Sequence, residues 1–206
     1  MHATDNLYKA KTANLRSWGS TENSNILYIT GHSGSGKTLT ANLLKSPYDE
    51  LIELDAYAED GNHFMQNQKL NAYLDEHVSN WDMIHKDAER TSSLYFKKVD
   101  EFREAIESFA KREYKIGSRV IVDGIQIADG WLDRNLANYA GKPIVILQDG
   151  PFRSLRRAFR RDGRGGLIKG IRSLDNPKET ITWCLSLHKC LRYLECVTGA
   201  KKDERS

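Results

Sequence analysis

This chain of 206 residues has no membrane-length apolar run, only three cysteines and little net charge. No stretch approaches the length needed to cross a bilayer, and the start Met-His-Ala-Thr-Asp-Asn lacks the charged-then-apolar plan of a signal peptide. A soluble, cytoplasmic protein with no membrane partner is therefore expected. The 31 basic and 28 acidic residues nearly balance, so nothing global demands nucleic acid or an anionic surface as partner. Cys184, Cys190 and Cys196 recur every six residues, a spacing that a helix spreads around its axis, and free thiols are expected. Cys184 and His188 share a helix face, but two ligands fall short of a zinc site. There is no internal repeat and no low-complexity tract. The length suits one well-buried core and is short for two. A single domain is expected over 25–200, after a leader at 1–24 in which Leu7, Ala10, Leu15 and Trp18 fall at loosely helical spacing. A solvated tail at 201–206 is expected to follow.

Against these absences stands one dense motif. Ile-Leu-Tyr-Ile-Thr at 26–30 reads as an apolar strand, Gly31-His32-Ser33-Gly34-Ser35-Gly36 as a glycine-rich turn, and Lys37-Thr38 as the start of a helix. The spacing Gly31-x4-Gly36-Lys37-Thr38 is that of a P-loop. Its side-chain-poor turn lets backbone N–H groups wrap a polyphosphate, Lys37 meets the β/γ phosphates and the Thr38 hydroxyl faces Mg²⁺. ATP and Mg²⁺ are the cofactors this predicts.

The rest of the chain alternates strands with helices. A helix over about 37–45 is stopped by Pro47, and Leu51-Ile52-Glu53-Leu54 makes a second strand that leads into Asp55-Ala56-Tyr57. From 86 to about 115, Leu94, Val99, Phe102, Ala105, Ile106 and Phe109 recur at helical spacing, with Gly117 as the stop. Residues 119–123, Arg-Val-Ile-Val-Asp, form a β-branched run without alternation, which suits a strand covered on both faces. Asp129 is expected to cap a helix over about 131–139. Residues 143–147 read as a further strand, the segment from Phe152 as an arginine-rich helix, and about 177–196 as a last helix, with no strand evident after Tyr193. The predicted fold is a three-layer α/β architecture of the P-loop NTPase type, with a mostly parallel sheet, helices on both faces and an arginine-rich lid at about 151–170. Right-handed crossovers would bring Gly31, Asp55 and Asp123 to one sheet edge.

Candidate chemistry follows from those strand ends. Asp123 can hold Mg²⁺ directly or through water, and equally can serve as a helix cap or turn former. Asp55 can accept the proton of an attacking hydroxyl, or can be a solvated loop acid. Arg153, Arg156, Arg157, Arg160, Arg161 and Arg164 crowd into twelve residues. Their planar, permanently charged forks suit a flap over a transferring phosphoryl group, hinged at Gly163, Gly165 and Gly166, and they equally suit a solvated basic face or a nucleic-acid patch.

Several of these segments together resemble the uridine kinase and phosphoribulokinase branch of P-loop kinases. Leu54-Asp55-Ala56-Tyr57 is similar to that family's Asp-Ser-Phe-Tyr segment. Asn80-Trp81-Asp82-Met83-Ile84-His85 is similar to its Asn-Phe-Asp-His-Pro-Asp, with Met83 and Ile84 standing where the family has His and Pro. Val122-Asp123-Gly124-Ile125 resembles its Val-Glu-Gly-Ile with Asp for Glu, and the run Arg156-Arg157-Ala-Phe-Arg160-Arg161-Asp162 resembles its lid. The resemblance implies an ATP-dependent kinase with a small-molecule hydroxyl acceptor, nucleoside or nucleoside-like. It implies catalytic roles for Lys37, Asp55, Arg157 and Arg161, and nucleotide contacts from Gly31 to Thr38 and from Arg156, Arg160 and Arg164. It further implies acceptor contacts at Asp55, Tyr57, Asp82 and His85, and metal ligation by Thr38 and Asp123. A kinase acting on nucleic acid is the second reading and a regulatory NTP switch the third.

Overall fold

The computed structural model describes residues 10–32, 34–54, 67–78, 93–130, 132–148 and 177–202. Six strands form one sheet: β1 (Ala10–Ala13), β2 (Ile26–Gly31), β3 (Glu50–Glu53), β4 (Val120–Asp123), β5 (Ile144–Leu147) and β6 (Lys201–Lys202), in the spatial order β3-β4-β2-β5-β1-β6. The four strands β3, β4, β2 and β5 pair in parallel, and β1 and β6 add an antiparallel edge. Among the described residues four helices accompany them: α1 (Lys37–Leu44), α2 (Gln68–His77), α3 (Ser93–Lys115) and α4 (Pro177–Thr198).

The central strands carry no polar alternation because both of their faces are covered, and every residue of β2, β4 and β5 is buried. The side-chain period of two sorts them into two cores. Tyr28, Val120, Val122, Ile144 and Ile146 pack with Leu74 of α2, Phe102 and Phe109 of α3 and Leu191 of α4. On the other face Leu27, Ile29, Ile121, Val145 and Leu147 pack with Ala41 and Leu44 of α1 and with Leu15 and Trp18. This is a three-layer α/β arrangement.

Three expectations change. The segment at 10–24 is not a separate leader: β1 pairs with β5, Ala10 opposite Leu147, and Leu15 and Trp18 close the second core, so the domain reaches back to residue 10. Instead of helical spacing, Ala10 and Ala13 supply small buried residues on a strand paired on both sides, and the Lys11 ammonium pairs with Glu195 of α4. Within the tail, Lys201 and Lys202 form β6 against Thr12 and Lys11, a short closing strand that two lysines give no reason to expect. Where a helix is expected over about 131–139, the described residues 132–139 hold a 3-10 turn at Leu136–Tyr139 instead of a full helix. Asp133 and Asn135 divert the backbone there: Asn135 N donates to Asp133 Oδ1 at 3.0 Å and Ala137 N to Asn135 Oδ1 at 3.2 Å, local bonds that compete with helix propagation.

Candidate functional site

The glycine-rich loop leaves the end of β2 and enters α1, and its shape depends on residues without side chains. At Gly31 (φ +155°) a Cβ would stand 2.4 Å from the Leu147 carbonyl oxygen and 2.9 Å from Ser35 Oγ, so β5 and the loop itself both fill that space. Gly34 and Gly36 take φ of +70° and +94°, the left-handed region that glycine enters at least cost. Ser35 N donates to His32 O at 3.1 Å, closing the turn, and Ser35 Oγ is buried with no partner among the described residues.

Helix α1 begins at Lys37 behind Gly36, which provides no side-chain cap, and its first turn carries no acidic residue. The leading N–H groups of a helix lack intrahelical acceptors, so this end of α1 presents positive potential to the loop. Thr40 N and Thr40 Oγ1 both bond Gly36 O, at 2.9 and 3.0 Å, which ties the loop to the helix. Lys37 is buried, and its Nζ reaches back to His32 O at 3.5 Å.

Strand β4 lies beside β2 with Asp123 opposite Ile29, and Gly124 N donates to Ile29 O at 3.0 Å. Asp123 is only 2 % exposed, and its Oδ2 accepts the Thr38 hydroxyl at 2.9 Å. Gly124 is required by packing: a Cβ there would meet Gln126 Oε1 at 2.5 Å and Leu54 Cβ at 2.7 Å. Thr38 and Asp123 thus set two hard oxygen donors together at the helix start. That donor set fits Mg²⁺, which prefers oxygen and takes most of its octahedron from water and phosphate. Among the described residues no group of three or more His, Cys, Asp or Glu side chains converges as a metal site.

Gly31, His32, Gly34, Ser35, Gly36, Lys37, Thr38 and Asp123 are brought together. Ser33, Asp55, Tyr57, Asp82, His85, Arg156, Arg157, Arg160, Arg161 and Arg164 lie outside the described residues. One neighbour of the loop is not anticipated by the sequence: His188 of α4, whose Nδ1 stands 3.4 Å from His32 Nε2. Its spacing to Cys184 singles His188 out, but no local signal names a partner 156 residues away. A cleft of about 240 Å³ lined by Glu22, Tyr28, Glu107, Lys111 and Lys142 lies by the start of β2, at the opposite end of the sheet from this loop. There burial, reinforced by Glu107 and Asp133, pushes the Tyr28 hydroxyl far above the usual tyrosine range. Cys190 and Cys196 are free thiols, and burial, with Asp129 nearby, raises the Cys190 thiol.

No protein-family model matches the chain, and no curated protein sequence matches it. Among solved structures it is similar to the crystal structure of TT1252 from Thermus thermophilus, at 20 % identity and a TM-score of 0.39, over 83 % of this chain and 96 % of that one. No helix among the described residues is long and apolar enough to cross a membrane.

Proposed function

We propose that this protein is an ATP-dependent kinase that transfers the γ-phosphate to a hydroxyl of a small molecule, a nucleoside or nucleoside-like acceptor. The observation that carries the reading is the Thr38–Asp123 hydrogen bond, which joins the helix behind a glycine-rich loop to the end of the neighbouring parallel strand. A loop with positive-φ glycines, a buried lysine and two oxygen donors at one helix start suits a magnesium-bound polyphosphate and supports this reading. The site also sits at the C-terminal end of a parallel strand whose neighbours β4 and β5 lie on opposite sides, where open α/β sheets form their ligand crevice.

In this reading Thr38 and Asp123 would hold Mg²⁺, which would supply positive charge to offset that of the phosphates. Lys37 leaves the His32 carbonyl to meet the same oxygens, and its ammonium counters the charge that builds on the transferring group. Asp55 takes the proton of the acceptor hydroxyl as its oxygen attacks the γ-phosphorus, and the bond to the β,γ-bridging oxygen breaks to release ADP. Arg157 and Arg161 steady the transferring phosphoryl group, Arg156, Arg160 and Arg164 the nucleotide, and Tyr57, Asp82 and His85 line the acceptor side. These roles rest on the sequence resemblance.

The test is a phosphotransfer screen with γ-labelled ATP and Mg²⁺ against nucleosides, nucleotides, vitamins, sugars and DNA. Transfer to a small-molecule hydroxyl is the expected result. Transfer to DNA alone, with retention that falls steeply with salt, identifies the nucleic-acid-directed kinase instead. ATP binding without transfer to any acceptor points to a regulatory switch.

A further inference from the structure

The His32–His188 contact has a specific geometry. The rings are inclined by only 13° with centroids 5.6 Å apart, while the facing nitrogens are 3.4 Å apart. The centroids exceed the nitrogens in separation by about one ring width, so the imidazoles meet edge to edge, nitrogen to nitrogen, in nearly one plane. That is the geometry of an N–H···N hydrogen bond, and it requires opposite roles for the two nitrogens, one donor and one acceptor.

The two ends of this bond differ in how firmly they are held. His188 sits between Leu187 and, one turn on, Leu191, both buried in the core under the sheet, and α4 is further tied to β1 through the Glu195–Lys11 pair. A helix packed in this way is a fixed post. His32 is 3 % exposed and is the second residue of the glycine-rich loop; its carbonyl is the one that both Ser35 N and Lys37 Nζ contact. A side-chain tether on His32 therefore limits the freedom of a turn that its glycines leave permissive.

We propose that His188 is a positioning residue for the phosphate-binding loop, holding His32, and through its carbonyl the Ser35 turn, in the conformation that receives the nucleotide phosphates. The phosphate role rests on the kinase reading above. It makes α4, far away in sequence, part of the nucleotide site without touching the reacting atoms.

The experiment compares wild type with His188→Ala and His188→Asn in ATP·Mg²⁺ binding by calorimetry and in amide hydrogen exchange over 34–38 without nucleotide. His188→Ala is expected to speed that exchange and to weaken ATP·Mg²⁺ binding by about three- to tenfold, the effect of one lost hydrogen bond. KM for ATP rises while kcat moves less, because residue 188 meets no reacting atom. His188→Asn, whose amide places a polar atom near the former Nδ1, recovers most of both; a residue that merely supports the helix would show no such rescue. If His188→Ala does not fold, His188→Leu, which keeps bulk and lacks nitrogen, takes its place. Wild type that binds no nucleoside triphosphate removes the kinase reading and the phosphate role together. Wild type that binds ATP·Mg²⁺ while His188→Ala binds it equally well overturns the positioning role alone, whatever the exchange shows.

Discussion

The Thr38 hydroxyl and the Asp123 carboxylate, 85 residues apart in the chain, lie 2.9 Å from each other at the start of α1. Donating to a carboxylate buried to 2 % exposure, the hydroxyl holds in place two oxygens suited to the same cation. Thr38→Val keeps the shape of the side chain and removes this hydroxyl. The Mg²⁺ concentration that gives half-maximal phosphotransfer is expected to rise about tenfold or more, as measured by magnesium titration at saturating ATP.

Lys37→Ala tests the charge at the loop. The buried ammonium contacts a carbonyl and belongs to neither apolar core cluster, so the variant is expected to fold with a melting temperature close to wild type. Loss of a preorganised donor to the transferring group should lower kcat by about 10²–10³. Unchanged phosphotransfer in the folded variant would remove Lys37 from the mechanism.

Asp55→Asn separates proton acceptance from shape. The amide is nearly isosteric but cannot take a proton, so kcat is expected to fall by about 10²–10⁴ while the Kd for ATP changes little. Near-normal kcat in this variant, with activity lost only in Asp123→Asn, would make Asp55 a structural loop acid.

Stability in acid is predicted from Asp49. Burial by itself raises this carboxyl, but hydrogen bonds from Arg119 and Ser46 and the Arg119 charge outweigh it and hold it below its ordinary value of 3.8. Arg119 Nε and Nη2 grip the two carboxylate oxygens at 3.0 and 2.8 Å, and the same guanidinium lies 4.0 Å over the Trp18 ring. A carboxyl depressed in the folded state contributes stability that is fully present above the ordinary value and is lost as pH falls through the lower folded one. At pH 7 Asp49→Asn is expected to cost about 1–3 kcal/mol in urea unfolding. The gap to wild type should narrow as pH falls below the ordinary carboxyl value of 3.8 and close as the wild-type carboxyl takes up its proton. A gap that stays constant with pH would mean the pair contributes by packing alone.

Patterns that depend on neighbouring residues were legible. The apolar runs Ile26–Thr30, Val120–Val122 and Ile144–Leu147 are buried parallel strands because nothing polar interrupts them. The glycines of 31–36 mark the loop because only they accept its backbone angles and close contacts, and Gly117, at φ +80°, ends α3 as its position implied. Where several local choices were nearly equal, the pattern misled. Ala10–Ala13 and Lys201–Lys202 have no strand signal of their own and pair because β5 offers an open edge to β1, and β1 to β6.

The sequence by itself determined that this chain carries a strand, a glycine-rich loop and a helix in direct succession, since chain connectivity alone brings those groups together. Only the tertiary structure decided what faces that loop. The order β3-β4-β2-β5 sets Asp123 beside β2 and within reach of Thr38, and the packing of Leu187 and Leu191 sets His188 against His32. Such contacts are fixed by the burial of apolar surfaces elsewhere in the fold, and a residue's own neighbours in sequence carry no trace of them.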